Sequence, residues 1–299
     1  MPELPDIENY LFALDSRIIG RRITDAAVHN PFLLRTVEPN LDDVKGLRVV
    51  ALKRIGKRIA LGLEGDIWLV IHLMIAGRFV WRDGTERKRR PKSLATFTFE
   101  SGELLLTEAG SKRRASLHIV SGHQALDDLD PNGLEILESN LIQFTERLRL
   151  RNHTLKRALT DPRLFSGIGN AYSDEILHRA KLSPIAQTQK LSPEDVQHLF
   201  DSTTHVLREW LERLRSQTAD KFPTKVTAFR PEMAVHGRYG ESCPVCATEI
   251  QRIRYVQNEL NYCPRCQTQG RLLADRSLSR LLKKDWPRTI EELESAKGK

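Results

Sequence analysis

Short apolar or alternating runs dominate the first 125 residues or so of the chain. Ile59 to Leu63, Trp68 to Ile71, Ala95 to Glu100 and Leu104 to Leu106 have the length and two-residue period of strands. Gly65-Asp66 and Ser101-Gly102 separate them as hairpin turns. A helix precedes them, because Ile7, Leu11 and Leu14 recur at helical spacing. Asp127 to Gly133 (DDLDPNG) reads as a linker. From Leu134 to Arg215 the period becomes helical. Ser192 is placed as an N-cap ahead of Pro193 at the first helical position. Val196, Leu199, Val206, Trp210 and Leu214 follow as one apolar stripe. The run from Glu86 to Lys92 (ERKRRPK) reads as a solvated loop.

This pattern predicts an α+β multidomain chain. Residues 1–126 form an N-terminal β-sandwich with a helix, 134–222 a helical domain, 236–270 a cysteine module and 275–299 a charged extension. In the extension, Leu281, Leu282, Trp286, Ile290 and Leu293 either pack back on the body or belong to a disordered tail.

Composition adds a partner. The 299 residues carry a formal net charge of +8. A basic surplus favours a polyanion, since Lys and Arg release counterions from phosphate. No run of eighteen apolar residues and no apolar signal core is present, so the expected location is the cytoplasm, without a membrane partner. In that reducing compartment four cysteines are metal ligands rather than disulfides. Cys243-x2-Cys246 and Cys263-x2-Cys266, sixteen residues apart, fit one structural Zn2+ held by four thiolates. A hairpin from Ile250 to Tyr262 lies between the two knuckles. A zinc ribbon alone is compatible with DNA, RNA or protein. An RNA-binding ribbon protein would account only for the cysteines and the charge.

The other candidate chemistry is at the start of the chain, Pro2-Glu3-Leu4-Pro5-Asp6. Met before Pro is normally removed, which leaves Pro2 as a secondary amine. An α-amino group titrates near ~8, so part of it is a neutral nucleophile at pH 7. Such an amine can attack a sugar C1′ and form an iminium. Glu3 beside it is a candidate general acid or base.

These features, taken in order, carry a resemblance. MPELPDIE, Gly56-Lys57, a helix carrying Ser166-Gly167-Ile168-Gly169-Asn170-Ala171-Tyr172-Ser173-Asp174-Glu175, and the four-cysteine finger resemble the formamidopyrimidine-DNA glycosylase / endonuclease VIII family over residues 1–270. The resemblance implies a β-sandwich, a helix–two-turns–helix domain and a zinc finger. It implies a monomer acting on damaged DNA as a bifunctional glycosylase and abasic-site lyase. The alternative is a non-enzymatic family member that binds abasic or damaged sites.

Site residues follow from the same resemblance. Pro2 matches the Schiff-base nucleophile, and Glu3 the acid that opens the deoxyribose ring. Lys57 matches a basic residue serving phosphate binding and β-elimination. Asn170 matches the asparagine that binds phosphates flanking the lesion, and Gly167 and Gly169 let backbone N–H groups approach a phosphate there. His72, Met74 and Ile75 stand in the segment that supplies the wedge filling the space of the everted base.

Departures from the family pattern qualify these roles. Asp6 replaces a glutamate, with a carboxylate one methylene shorter. Met74 and Ile75 stand where glycine and the wedge methionine are usual. The loop Glu108 to Ser116 is basic and lacks the usual aromatic wedge residue. Asn258 replaces the arginine of the finger hairpin, so weakened δ-elimination is expected, with Arg252 and Arg254 as substitutes on the same hairpin. The short segment from Phe222 to Tyr239 favours oxidised pyrimidines or another bulky lesion over oxidised guanine.

Overall fold

A computed structural model describes residues 1–84, 92–109, 112–224, 226–255, 259–275 and 287–297. The chain divides into two compact units, Met1–Gly133 with Glu209–Thr227, and Leu134–Arg208 with Ala228–Lys299.

The first unit begins with helix α1, Leu4–Ile18. Its apolar face, Ile7, Tyr10, Leu14 and Ile18, is fully buried. Two antiparallel four-stranded sheets follow. One has the order β1 (Ile23–Val28), β6 (Ala95–Phe99), β7 (Gly102–Glu108), β5 (Gly77–Asp83). The other has the order β2 (Val49–Ile55), β3 (Arg58–Leu63), β4 (Ile67–His72), β8 (Ser116–Ser121). The core takes Ile59, Leu61, Leu69, Ile71 and Leu117 from the second sheet and Phe79, Phe97, Leu104 and Leu106 from the first. Burial of this apolar surface is the main term favouring the fold. The outer face of the second sheet is covered as well. Ala60, Trp68 and Val70 pack with Leu126 of helix α2 (His123–Asp127). That second layer explains why β3 and β4 read as continuous apolar runs rather than alternations.

The four strands foreseen from the pattern are present as β3, β4, β6 and β7, each within two residues at either end. Strands β1, β2 and β5 carry half-exposed polar positions and lack a clean alternation, whereas β8 alternates over a short stretch, with Leu117 and Ile119 buried.

The second unit contains α3 (Leu141–Arg149), α4 (Leu155–Thr160), α5 (Asn170–Arg179) and the start of α6 (Pro193–Thr218). Ser192 Oγ accepts the Asp195 N–H at 3.1 Å, so the expected cap of α6 is formed. All five residues of the expected α6 stripe are buried. The division between the units falls within this helix, after Arg208. The segment expected to be helical from Ser166 begins its helix only at Asn170; Ser166 to Gly169 form the preceding turn, where Gly167 has φ +76. Strands β9 (Gln251–Arg254) and β10 (Glu259–Tyr262) make the finger hairpin, followed by α7 (Pro264–Thr268).

Of the C-terminal extension, Leu281, Leu282 and Trp286 lie outside the described residues. Among the described residues, part of the extension returns to the finger. Arg271 pairs with Thr289, Ile290 is buried, and helix α8 spans Ile290–Lys297.

Candidate active site and metal centre

The opening motif is the N-terminus of α1. Glu3 is its N-cap and Pro5 sits in the first turn, where a missing N–H costs nothing. The Asp6 carboxylate accepts the Glu3 backbone N–H at 3.0 Å, while the Glu3 carboxylate accepts the N–H of Asp6, closing a capping box. The shorter carboxylate of Asp6 therefore reaches the backbone beside Pro2. Pro2, Glu3 and Asp6 are all buried. The terminal amine of Met1 lies in the same surroundings. Burial lowers its proton affinity; Glu3 and Asp6 oppose that, while Arg78 and Lys57 add to it. Arg78, on β5, had no sequence signal beyond its charge.

Lys57 sits in the two-residue turn joining β2 and β3, closed by the pair Ile55 and Arg58. Gly56 precedes it at φ +58, the positive φ that a tight hairpin turn asks of its first residue. Arg58 lies opposite His72 across β3 and β4, and His118 is the diagonal neighbour of His72 on β8. Burial, with Arg58, Lys57 and His118 close by, pushes the His72 imidazole down to about 4. Arg58 donates from Nη1 to the Leu129 carbonyl at 2.6 Å. Its Nε, His72 Nε2 and His118 Nδ1 are buried without a hydrogen-bond partner among the described residues. Lys57 and Arg58 give this end of the sheet a positive charge, which suits an anion.

The β4–β5 turn carries the candidate wedge. Leu73 is fully buried beneath it, Met74 takes φ +52, and Ile75 is 57% exposed at the tip. Ile75 is thus not a core residue, and Met74 is half-buried. Gly77 closes the turn, with its N–H donating to the Leu73 carbonyl at 2.9 Å. A Cβ there would stand 2.2 Å from that oxygen. In the basic loop, the Glu108 carboxylate accepts the backbone N–H groups of Arg114 and Ala115, which leaves the Lys112, Arg113 and Arg114 side chains exposed.

In the second unit, Asn170 starts α5 and donates from Nδ2 to the Glu259 carbonyl at 2.6 Å. Asp174, one turn on, accepts from Lys156 at 2.5 Å and from the Asn261 N–H at 3.2 Å, and lies 2.7 Å from His236 Nδ1. Glu175 accepts the N–H groups of Ala234, Val235 and His236. Sequence reasoning did not single out these acidic residues, although they stand in the quoted motif. Arg252 stacks on Tyr239, 4.1 Å from the ring centroid, and faces Glu259 at 3.7 Å. Arg254 is exposed on β9. Asn258 lies outside the described residues.

The metal centre has a fitting donor set. Cys246 Sγ is 3.3 Å from Cys263 Sγ, and Cys243 Sγ is 3.9 Å from Cys266 Sγ. Four sulfurs about 2.3 Å from one ion sit roughly 3.8 Å apart, so these two spacings suit a tetrahedral zinc site. Within the knuckles, Val245 N–H points at Cys243 Sγ (3.4 Å) and Cys266 N–H at Cys263 Sγ (3.5 Å), as anionic sulfur requires. Four protein thiolates leave no open position, so the site holds one structural zinc ion.

Three family descriptions match in order. The formamidopyrimidine-DNA glycosylase N-terminal domain matches residues 1–114, its H2TH domain residues 131–221, and the zinc finger found in FPG and IleRS residues 231–269. Together they define a zinc-finger DNA glycosylase of the base-excision type. Formamidopyrimidine-DNA glycosylases of Solibacter usitatus and Heliobacterium modesticaldum are 30% and 31% identical to the chain. Each alignment covers 89% of this chain, and 99% and 100% of the relative. A complex of Lactococcus lactis Fpg with abasic-site DNA superimposes with a TM-score of 0.78 at 26% identity, covering 89% of this chain and 99% of that one. MutM in complex with carbocyclic 8-oxo-G DNA gives 0.77 at 25% identity, over 89% and 100%. The chain belongs to the formamidopyrimidine-DNA glycosylase family. Among the described residues no helix is long and apolar enough to cross a membrane.

Proposed function

We propose that the chain excises damaged bases from DNA and cleaves the resulting abasic site, with the Pro2 nitrogen as nucleophile after removal of Met1. The observation that carries this is the setting of the chain start. Pro2 is buried, and the half-buried Met1 nitrogen one residue before it has Glu3 and Asp6 on one side of its charge balance and Lys57 and Arg78 on the other. Burial and the two cations favour the neutral, nucleophilic amine.

The steps follow from that setting. The target nucleotide leaves the stack, since C1′ is shielded in a duplex. Pro2 attacks C1′ and the C1′–base bond breaks. The base departs with the electron pair and takes up the proton that the Pro2 nitrogen gives up on bonding. Glu3, capping α1, protonates the ring oxygen so that the sugar opens to the iminium. Loss of a C2′ proton then breaks the bond to the 3′ phosphate, and water releases Pro2. Lys57, with Arg58 and His72 beside it, binds phosphate and assists this β-elimination. Asp6 acts by positioning, holding the Glu3 backbone. Met74 and Ile75 fill the space of the everted base. Asn170, Arg252 and Arg254 serve the DNA backbone in the second unit. Asn258 in place of an arginine leaves δ-elimination weak. In this reading, residues 1–126 are the catalytic domain, 134–222 and 236–270 bind DNA, 275–299 is an accessory segment, and the chain works as a monomer in the cytoplasm. The lesion preferred is an oxidised pyrimidine or another bulky base.

Cleavage of abasic and lesion-bearing oligonucleotides tests the proposal. Products ending in the unsaturated sugar support it. Predominant 3′-phosphate ends would contradict the weak δ-step, and tight abasic-site binding without cleavage would establish the non-enzymatic reading instead.

A further inference from the structure

Helix α5 makes a contact with the finger that the four-cysteine ligand set does not explain. His178, near its C-terminal end, places Nε2 3.3 Å from Cys243 Sγ. Both residues are almost fully buried. The donor atoms of His178, Cys243, Cys263 and Cys266 all lie within 4.8 Å of one another. The metal centre thus has five candidate donors for four positions.

A thiolate bound to zinc has lone pairs to offer and no proton. A neutral imidazole has one N–H and one acceptor nitrogen. An acceptor nitrogen against the sulfur would be repelled, so Nε2 carries the proton. We infer that His178 is an outer-shell donor to the metal centre, hydrogen-bonding through Nε2–H to the Cys243 thiolate and holding that ligand on zinc. The bond draws charge from the sulfur, lowering its reactivity towards protons and alkylating agents without opening a coordination position. It also ties the finger to the far end of the helix that begins with Asn170. Along α5, Asn170 holds Glu259, Asp174 holds Asn261, Glu175 holds the loop at 234–236 ahead of the finger, and His178 holds Cys243. Asn170, Asp174 and His178 recur every four residues and Glu175 lies three before His178, so one broad side of the helix carries all four attachments. His178 is in this sense a positioning residue for zinc.

The test uses the full zinc-loaded chain and three variants. His178→Phe and His178→Leu remove the donor, and His178→Gln keeps an N–H. Zinc transfer to a chromophoric chelator should be about ten- to a hundred-fold faster in the Phe and Leu variants, the range seen when outer-shell partners are lost. The Gln variant should stay close to the parent. Alkylation of Cys243 should accelerate in the same order. In cobalt-substituted protein, the parent should show four-thiolate bands, with the charge-transfer band moving to lower energy in Phe and Leu. If Phe and Leu fail to retain metal while Gln retains it, the donor is shown to be required. Equal zinc loss in all four proteins, or Gln behaving like Leu, would reduce His178 to a packing residue. A parent cobalt spectrum of three thiolates and one nitrogen would make His178 a ligand and overturn the outer-shell assignment.

Discussion

Replacing Glu175 by alanine probes what fixes the entry to the finger. The Glu175 carboxylate is buried and accepts three backbone N–H groups, from Ala234 at 2.7 Å and from Val235 and His236 at 2.9 Å. A buried donor left without an acceptor costs about 1–3 kcal/mol, so three set a ceiling of about 9 kcal/mol. Two effects lower the net figure. Burial pushes the carboxyl pKa up, so keeping the charge there is itself unfavourable, and half-buried Ala234 can rehydrate. The expected loss for Glu175→Ala is about 3–4 kcal/mol. Glu175→Gln keeps the oxygen facing Val235 and His236 and fails only at Ala234, for about 1–2 kcal/mol. At roughly 2–4 °C per kcal/mol, the alanine variant should melt about 6–16 °C lower in scanning calorimetry. Zinc release reports on the second unit alone. Exposed Glu212→Ala is the control and should stay within about 0.5 kcal/mol. An alanine variant losing under about 1 kcal/mol, or a glutamine variant losing as much as alanine, would refute this account of the finger entry.

Gly77→Ala forces a Cβ to 2.2 Å from the Leu73 carbonyl, so it should cost about 3 kcal/mol or more and reduce lesion cleavage; a wild-type melting curve would contradict this. Asp6→Ala removes half of the α1 capping box and should cost about 1 kcal/mol, with cleavage falling further than stability as the Glu3 backbone is freed; unchanged cleavage would show that Asp6 does not position Glu3. His72 gives a pH signature. Its folded pKa is depressed from the ordinary 6.5 to about 4, so the unfolded chain takes up the proton first as pH falls. Its contribution is present above about 6.5 and is lost as pH falls towards about 4. Denaturation at pH 7, 6 and 5 should therefore show His72→Gln losing less stability than the parent; parallel losses would argue against a neutral buried imidazole.

Much of the architecture was written in local pattern. The α6 start was legible because Ser192 and Pro193 signal a cap chemically, and its stripe because five apolar residues keep helical spacing. Strands β3 and β4 were legible as apolar runs, being covered on both faces. Strand β5 was not, since Arg78 and Arg82 interrupt it and its place depends on pairing with β7 far along the chain. The finger followed from cysteine spacing, which is a direct statement of ligand geometry. The start of the chain was legible as chemistry but not as structure. That Glu3 and Asp6 cap each other's backbone depends on helix α1 beginning at Leu4. Arg78, His118 and His178 were missed for a common reason: a single charged or imidazole residue has no periodicity, and only the fold gives it neighbours.

In the proposed reaction the Pro2 nitrogen forms the covalent bond to the sugar. Borohydride reduction during reaction with abasic-site DNA, followed by peptide mass spectrometry of the adduct, tests it most directly. One adduct is expected, located on the Pro2 nitrogen after loss of Met1. An intact, zinc-loaded protein that cleaves the site without trapping, or an adduct on Lys57, would contradict it.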